Sequence, residues 1–264
     1  MIGAIIGDIV GSRFEFNNHR STAFDLFDDK CTFTDDTVMT IAVADAIMSG
    51  RPFGEMLHDY GSRYPGRGYG SRFLNWIISD HPEPYNSLGN GSAMRVAPCA
   101  LLAGGNRERA LNLAAASAMC THNHPEGIKG AMAIADIILM AYNKADKADI
   151  KRTAEKLYGY RLDFTIEELR PHYRFDETCP GSVPQAIEAF LESHDYESAI
   201  RLAVSLGGDS DTIADIAGGM AEAYYGVPDD IIEQGLSFLP EEMVEMVRRM
   251  YDKAGRPLWR ESRG

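Results

Sequence analysis

Apolar residues recur at helical spacing along almost the whole chain. Positions three and four residues apart lie on the same face of an α-helix, and most apolar residues follow that spacing. No segment shows a convincing alternation of apolar and polar residues, which is typical of a half-buried strand. The pattern therefore predicts an all-α protein of about a dozen helices. The predicted helices cover residues 34–49, 53–64, 71–79, 91–104, 107–121, 125–143, 147–158, 184–194, 196–206, 211–225, 229–238 and 240–253.

Residues that interrupt or cap helices separate these segments. Pro184 marks the expected start of one helix, because proline is tolerated in a first turn but not in a helix interior. Asn106, Asp146 and Asp229 are expected N-caps, since their side-chain oxygens can accept hydrogen bonds from the first backbone N–H groups. The last residues, 256–264, are expected to form a partly ordered tail.

The distribution of apolar residues among the helices predicts which of them are central. Helices 91–104 and 125–143 are rich in Ala and Met and apolar on most faces, so we expect them at the centre. The charged segments 147–158 and 240–263 are expected on the outside. No low-complexity linker divides the chain, which predicts a single domain over residues 1–264.

Composition and charge limit the partners of the protein. Of the 264 residues, 45% are hydrophobic and 25% are charged, which is typical of a globular protein, and the net charge is −13. This charge argues against nucleic acid and anionic membranes as general partners. The N-terminal segment has no basic residues before Asp8 interrupts its apolar run, so we expect neither a signal peptide nor a membrane span, and a cytoplasmic location. Four scattered cysteines without C-x-x-C spacing argue against a thiolate metal site.

Two predicted helices begin with clusters of side-chain oxygens. Thr34, Asp35 and Asp36 precede one apolar helix, and this cluster alone is typical of an N-cap with acidic residues in the first turn. A second cluster begins another helix about 175 residues later, after a Gly-Gly turn. Its members are Asp209, Asp211 and Thr212.

The repeated chemistry favours a metal centre over two independent caps. If the two helix starts face each other, four carboxylates converge, and their repulsion would be prohibitive without cations between them. Hard oxygen ligands favour Mg²⁺ or Mn²⁺ over Zn²⁺ or Cu²⁺. Adjacent carboxylates such as Asp35 and Asp36 can each face a different ion of a pair roughly 3.5–4 Å apart. The clusters therefore predict two Mg²⁺ or Mn²⁺ ions.

Five segments, in order along the chain, together resemble the ADP-ribosylglycohydrolase family. Each is a weak match alone, but five in the family's order form a strong signal that spans most of the chain. The segments are GAIIGDIVGSRFE (3–15), FTDDTVMT (33–40), SLGNGSAMRVAP (87–98), THNHPEGIKGA (121–131) and SLGGDSDTIADIAGGMAEAYYG (205–226).

The resemblance implies a fold, a metal centre and an activity. The fold would be a single compact orthogonal bundle of helices with a dinuclear magnesium centre. The activity would be the release of ADP-ribose from modified protein side chains or related conjugates. By motif, the six cluster residues named above match the family's metal ligands, and Asp35 and Asp36 are also candidates for the catalytic machinery.

Glu15 is the candidate for proton transfer. A lone Glu at a helix end is most often a solvated charge, but the resemblance places the matching glutamate on a flap beside the metals. Glycosidic cleavage needs a proton donor at the leaving atom and an activated water, and a carboxyl group near two cations suits one of these roles. Residues 17–33, which follow it, are polar and irregular, and we expect them to be mobile. Asp8 is the competing carboxylate, but its small-residue surroundings suggest helix packing or hydrogen bonding instead.

The Gly-rich loop 86–95 is the candidate binding site for a diphosphate. The loop could be a simple turn and N-cap, or its backbone N–H groups from residues 87 to 91 could bind an anion without a lysine cluster. In the family this loop holds the diphosphate. The predicted binding residues are Ser87, Gly89, Asn90, Gly91 and Met94.

Two histidines lie next to a predicted helix start. His122 and His124 lack the spacing and the third ligand of a zinc site, so a helix-capping histidine is the default interpretation. The resemblance places His122 against ADP-ribose, where it could donate to a phosphate or ribose oxygen.

The sequence therefore predicts a magnesium-dependent hydrolase that cleaves an ADP-ribosyl conjugate. One alternative is a catalytically weak ADP-ribose-binding or crystallin-like structural protein, which loss of metal ligands would mark. Another is a dinuclear-metal nucleotide phosphohydrolase, which would release phosphate or nucleotide monophosphates. The expected partner is an ADP-ribosylated protein or a small ADP-ribose conjugate, and the leaving group stays open.

Overall fold

The computed structural model describes residues 1–259. They contain fifteen α-helices and one short 3₁₀ helix, joined by loops. No β-strand occurs among these residues, so the all-α prediction is confirmed. The α-helices are α1 (Ile2–Gly11), α2 (Asp35–Ser49), α3 (Phe53–Arg63), α4 (Ser71–Ile77), α5 (Gly91–Met94), α6 (Ala97–Leu101), α7 (Arg107–Met119), α8 (Pro125–Tyr142), α9 (Lys147–Lys156), α10 (Ile166–Leu169), α11 (Cys179–Glu192), α12 (Tyr196–Ser205), α13 (Ser210–Tyr225), α14 (Asp229–Leu236) and α15 (Glu241–Ala254).

Helices α1 and α13 form the centre of the molecule. Every residue of α1 is buried, and so are all residues of α13 except the last two. The two backbones touch, because a Cβ atom on Gly7 would lie 2.1 Å from the Ala214 carbonyl oxygen, and one on Gly218 would lie 2.2 Å from the Gly3 carbonyl oxygen. Glycine at these positions therefore allows an approach that any side chain would block. This close packing brings the end of α1 to the start of α13.

The central position of α1 was not predicted. The sequence analysis gave no helix for this segment and placed 91–104 and 125–143 at the centre. Helix α8 is indeed mostly buried, but 91–104 is divided into α5 and α6 at Arg95 and Val96. Pro98 lies in the first turn of α6, where its missing N–H needs no helical acceptor, and so it starts a new helix.

Two other boundaries differ from the prediction. Helix α11 begins at Cys179 instead of Pro184, and its first turn is capped by the Thr178 hydroxyl, which accepts a hydrogen bond from the Gly181 N–H at 3.1 Å. Helix α14 has Pro228 at its N-cap, so the prediction for Asp229 was wrong.

Two predicted N-caps occupy the expected positions, although only Asn106 makes a side-chain cap hydrogen bond. Asn106 caps α7 by accepting a hydrogen bond from the Arg109 N–H at 3.0 Å, and Asp146 occupies the N-cap position of α9. No helix in the described part of the chain is both long and apolar enough to cross a lipid bilayer. Of the tail predicted at 256–264, residues 260–264 lie outside the described residues.

Candidate active site

One open cavity of about 200 Å³ is lined by the first residues of both α2 and α13. It brings together nearly all of the residues that the sequence analysis selected. Those that line it are Glu15, Asp35, Asp36, Ser87, Gly89, Asn90, Gly91, Met94, His122, Asp209, Asp211 and Thr212. The sequence analysis missed five further lining residues that bear on the chemistry, namely Arg72, Tyr85, Arg95, Phe175 and Glu177.

Asp8 on α1 holds the start of α2. Its Oδ1 accepts a hydrogen bond from the Thr34 hydroxyl at 2.7 Å, and its Oδ2 accepts one from the Thr34 N–H at 2.9 Å. The N–H of Thr37, at 3.1 Å, and the Thr37 hydroxyl also donate to Oδ2. Both oxygens of this fully buried carboxylate therefore have partners, and the hydrogen-bonding role predicted for Asp8 is confirmed.

Thr34 lies behind the wall of the cavity and is the N-cap of α2. Its hydroxyl donates to Asp8 and accepts a hydrogen bond from the Asp36 N–H at 3.3 Å. Asp8 and Thr34, which do not line the cavity, therefore fix the start of α2. The carboxylates of Asp35 and Asp36 line the cavity. A role of Thr34 as a metal ligand stays a prediction.

Asp36 carries a buried oxygen that has no partner. The residue is 3% exposed, and no group of the described residues donates to its Oδ2. Burial raises its pKa well above the usual value, and the nearby charge of Asp211 raises it further. The pKa of Asp35 is raised in the same direction, first by burial and then by Asp8. Carboxylates without donors are strongly destabilised unless a proton or a cation neutralises them.

A tight turn directs the second acidic cluster into the cavity. Gly207 and Gly208 have φ values of +68° and +71°, a left-handed conformation that side chains rarely adopt. Asp209 follows this turn, and its Oδ2 accepts a hydrogen bond from the Asn90 side-chain amide at 2.6 Å. Asp211 is 4% exposed, and its Oδ1 is buried without a partner.

Glu15 belongs to this second cluster. Oxygen atoms of Glu15, Asp209 and Asp211 lie within 4.8 Å of one another. Burial raises the pKa of Glu15 to about 7, and the negative charge of Asp209 contributes to the rise. Near neutral pH and in the absence of cations, Glu15 is therefore protonated in part of the molecules and ionised in the rest.

The segment after Glu15 is irregular, as predicted, but it is tied to the rest of the molecule. Asn18 donates to the Glu15 carbonyl oxygen at 2.9 Å and accepts from the Gly208 N–H at 2.8 Å. Arg20 donates to the Tyr173 carbonyl oxygen at 2.8 Å, and Arg201 donates to the Phe24 carbonyl oxygen at 2.6 Å. These bonds hold Glu15 next to the turn that precedes Asp209.

The arrangement of carboxylates fits hard divalent cations. Asp36 and Asp211 each present a buried oxygen without a donor, and three carboxylates of the second cluster converge. Oxygen ligands of this kind suit Mg²⁺ and Mn²⁺. Asp215, one turn beyond Asp211, is also fully buried with both oxygens unpartnered, but it does not line the cavity.

The Gly-rich loop is held by residues far away in the chain. The Asn90 N–H donates to the Glu177 carbonyl oxygen at 2.8 Å, and the Gly89 N–H donates to the Ser87 hydroxyl at 3.1 Å. These two N–H groups are therefore engaged, and the prediction that all N–H groups from Ser87 to Gly91 are open to an anion was wrong. A Cβ atom on Gly91 would lie 3.1 Å from His122 Nε2, so the histidine packs closely against the loop.

His122 faces the cavity in its neutral form. Burial lowers its pKa well below the usual value of 6.5, and the nearby guanidinium groups of Arg95 and Arg72 lower it further. Its Nδ1 lies 2.8 Å from the Thr121 hydroxyl. His124 instead caps α8, since its Nδ1 accepts a hydrogen bond from the Glu126 N–H at 3.1 Å, as the default interpretation predicted.

Cationic groups that the sequence analysis missed lie near His122. Arg95 is 1% exposed and donates to the Ser117 carbonyl oxygen at 2.6 Å and to the Thr121 hydroxyl at 2.8 Å, while its Nε has no partner. The Arg72 guanidinium lies 4.8 Å from the centre of the Tyr85 ring. The cavity thus has carboxylates around Glu15 and positive charge around His122, a pattern that suits a ligand with a separate anionic part.

Several known proteins are similar to this chain over most of its length. ADP-ribosylhydrolase ARH3 of Danio rerio is 28% identical over 100% of this chain and 92% of its own length. ADP-ribosylarginine hydrolase Tri1 of Pseudomonas putida is 26% identical over 94% of this chain and 72% of its own length. ADP-ribosyl-[dinitrogen reductase] glycohydrolase of Rhodospirillum rubrum is 27% identical over 69% and 60% of the two chains.

A structural comparison shows the fold, and a family model shows the family. A solved structure described as an ADP-ribosylglycohydrolase-related protein complex superposes with a TM-score of 0.73, at 24% identity, over 96% of this chain and 97% of that one. At this identity the likeness shows the fold. The family model for ADP-ribosylglycohydrolase matches residues 1–258. The chain therefore belongs to the ADP-ribosylglycohydrolase family, and it is a glycosidic-bond hydrolase.

Proposed function

We propose that the protein hydrolyses the bond between ADP-ribose and an acceptor in a reaction that depends on two Mg²⁺ or Mn²⁺ ions. The observation that carries this proposal is the convergence of Glu15 with the unpartnered carboxylates in one cavity. Arg72, Arg95 and His122 at the same cavity supply the positive and polar groups that a diphosphate requires. The substrate is an ADP-ribosylated protein side chain or a small ADP-ribose conjugate.

The predicted ligands would hold the cations at the two helix starts. Bound there, the ions would orient the ribose and acidify a water molecule. Asp36 and Asp211 support this role because their buried oxygens have no other partner. The complete proposed ligand set is Thr34, Asp35, Asp36, Asp209, Asp211 and Thr212.

Glu15 would transfer the proton that cleavage requires. The bond between the anomeric carbon and the acceptor atom breaks, the oxygen of water joins the carbon, and a proton passes to the leaving atom. Glu15 is not among the proposed cation ligands although it lies beside Asp209 and Asp211, so its carboxyl group is available to donate or accept this proton. Asn18 supports this role by holding the backbone of Glu15 against Gly208.

The diphosphate of the ligand would lie near Arg72, Arg95 and His122, at the positively charged part of the cavity lining. The Nε of Arg95 is buried and has no hydrogen-bond partner. A nearby anion would stabilise this buried cation. Gly91 and Ser87 line the cavity beside His122, whose neutral ring can donate to or accept from a phosphate or ribose oxygen. This arrangement orients the ribose toward the carboxylates.

Release of free ADP-ribose tests the proposal directly. The protein is incubated with Mg²⁺ and a panel of peptides and small molecules that carry ADP-ribose on defined acceptor atoms, and the products are identified by mass. We expect ADP-ribose and the unmodified acceptor, and no product with chelator. Phosphate or nucleotide monophosphates would instead support a phosphohydrolase. ADP-ribose binding without any turnover would support a binding or structural protein.

A further inference from the structure

A second concave surface, larger than the active-site cavity, lies at the other end of α4. This groove has a volume of about 990 Å³ and is open to solvent. Its walls are α3, the end of α4 and the irregular segment 78–84, and Cys120 also lines it. No residue belongs to the linings of both the groove and the cavity. The groove is therefore a separate feature, and the proposed reaction does not use it.

Exposed apolar side chains are concentrated around this groove. Ile78, the C-cap of α4, lines it and is 78% exposed. Leu74 lies one turn earlier on the same face of α4, and Met119 is next in the chain to the lining residue Cys120. These three are among the seven large hydrophobic residues that are exposed in the described part of the chain. Grouped exposure of this kind is typical of a surface that binds another protein.

Trp76 gives the groove a fixed aromatic surface. The residue lines the groove, and its ring is stacked on that of Phe73, with ring centres 5.4 Å apart and planes that differ by 18°. The ring of His58 packs edge-on against it at 6.0 Å. Because these neighbours already hold the indole in place, an incoming side chain can contact it at little cost in conformational entropy.

The charge around the groove favours a basic partner. Its lining contains the carboxylates of Glu55, Asp59 and Asp80 but only one guanidinium, that of Arg51. Arg51 pairs with Glu55 at 3.6 Å, and Arg63 pairs with Asp59 at 3.5 Å. Asp80 is exposed, and no cation pairs with it among residues 1–259. None of these carboxylates belongs to the proposed cation ligands, so their charge is available to a partner.

The groove and the cavity share a wall. Arg72 in the first turn of α4 lines the cavity, whereas Trp76 in its last turn lines the groove. The segment that follows is divided in the same way, because Pro84 lines the groove and Tyr85 lines the cavity. A partner in the groove would therefore lie beside the active site without occupying it.

We propose that this groove docks a segment of another protein in which an aliphatic or aromatic residue is flanked by lysine or arginine. The apolar residue would contact Ile78 and Trp76, and the basic residues would face Asp80 and the neighbouring carboxylates. A second copy of this chain fits less well, because two chains that each carry a net charge of −13 repel each other. The inference uses none of the residues of the proposed reaction and stands independently of it.

Selection from a random peptide library tests the groove. The protein carries Trp259→Phe, so that Trp76 is the only tryptophan, and chelator is present so that the cavity holds no cations. Retained peptides are synthesised and titrated, with Trp76 fluorescence as the signal. We expect sequences with an apolar residue beside lysine or arginine, a change in fluorescence, and an affinity that falls with added salt. Retention of no peptide, or of acidic peptides, would overturn the proposal.

Two groove variants and a matched control locate the bound peptide. Ile78→Ala should weaken the selected peptide by about 5- to 30-fold, the range of an interface anchor. Asp80→Lys should weaken it by about 2- to 10-fold, and by less at high salt. Leu157 is 59% exposed and does not line the groove, so Leu157→Ala should leave the affinity unchanged. After circular dichroism has shown that all variants are folded, unchanged affinity in both groove variants, or an equal loss in the control, would reject the groove as the docking site.

Light scattering decides between another protein and a second copy of this chain. The oligomeric state is measured for wild type and for Ile78→Asp, which places a charge in the apolar part of the groove. We expect the same oligomeric state in both, which leaves the groove free for another protein. A wild-type oligomer that Ile78→Asp converts to a monomer would show that a second copy covers the groove, and the proposal would be wrong.

Discussion

Two groups of buried carboxylates lie close together at the junction of α1, α2 and α13, and they differ in their partners. Asp8 is fully buried and accepts four hydrogen bonds from Thr34 and Thr37. Asp36 and Asp211 are 3% and 4% exposed, and each leaves one buried oxygen without a donor. A buried aspartate side chain thus has hydrogen-bond donors to both oxygens at Asp8, whereas one oxygen has no donor at Asp36 and at Asp211.

The difference separates a structural role from a ligand-binding role. A carboxylate surrounded by donors supports the fold through its hydrogen bonds, which offset part of the cost of burying its charge, although burial still raises the pKa of Asp8. A buried carboxylate without donors costs folding free energy until a proton or cation binds. We therefore expect substitutions in the two groups to have opposite effects on stability and activity.

Asp211→Asn should give the largest loss of activity. Removal of one charged ligand should lower turnover of a confirmed conjugate by about 10⁴-fold or more, because cation chemistry supplies several kcal/mol to the transition state. In chelator, the melting temperature should equal or exceed that of wild type, since an uncompensated charge has been removed. Activity assays and thermal unfolding in chelator check both parts. Strong destabilisation in chelator would show that Asp211 has a structural role like that of Asp8.

Glu15→Gln should lower kcat by about 10²–10⁴-fold and change ADP-ribose affinity little. The substitution keeps the shape of the side chain but removes the proton that the carboxyl group exchanges. Steady-state kinetics and calorimetry with ADP-ribose provide the two measurements. Near-normal turnover would reject Glu15 as the acid or base and would direct attention to the other carboxylates of the cavity.

Asp8→Asn should destabilise the protein by about 2–4 kcal/mol, because the amide cannot accept all of the hydrogen bonds that converge on the carboxylate. Urea unfolding in chelator gives this value directly. Asp45 is a suitable control, since its carboxylate accepts one part-buried hydrogen bond from the Tyr60 hydroxyl at 3.0 Å. Asp45→Asn should cost less than about 1.5 kcal/mol. Equal costs at Asp8 and Asp45 would show that the hydrogen bonds converging on Asp8 do not give it a special structural role.

His122 should make stability depend on pH in the acid range. Its folded-state pKa is depressed below 6.5 by burial and by Arg95, so the unfolded chain binds a proton more readily there. Its contribution is fully present above pH 6.5 and is lost as the pH falls below that value, by at most about 1.4 kcal/mol per pH unit. His122→Gln should lose less stability than wild type between pH 7 and 5. Identical pH profiles would contradict the neutral state of His122.

The sequence was sufficient for the features that depend on local pattern. The helical period located most helices, and two runs of oxygen-bearing residues located both acidic helix starts. The central role of α1 was missed because it depends on glycines that allow backbone contact with α13, and helical periodicity does not report such contacts. Phe175 was missed because a single residue in an unrelated segment carries no spacing signal. Arg95 was missed although it ends the Gly-rich loop 86–95, because its burial beside His122 depends on tertiary contacts.

The Gly-rich loop shows the same limit in more detail. Its composition indicated a site of backbone donors, but the Asn90 N–H is bonded to Glu177, which lies far along the chain. Which N–H groups are open to a ligand therefore depends on tertiary contacts. The sequence could identify the residues of the loop but not the state of their hydrogen bonds.

Cation binding to the chelator-treated protein tests the central claim most directly. Mn²⁺ is titrated calorimetrically into wild type, Asp36→Asn and Asp211→Asn, after circular dichroism has shown that all three are folded. We expect two ions per chain in wild type and the loss of at least one in each variant, because the unpartnered oxygens of these carboxylates would hold them. No binding by folded wild type, or unchanged binding by both variants, would contradict the account.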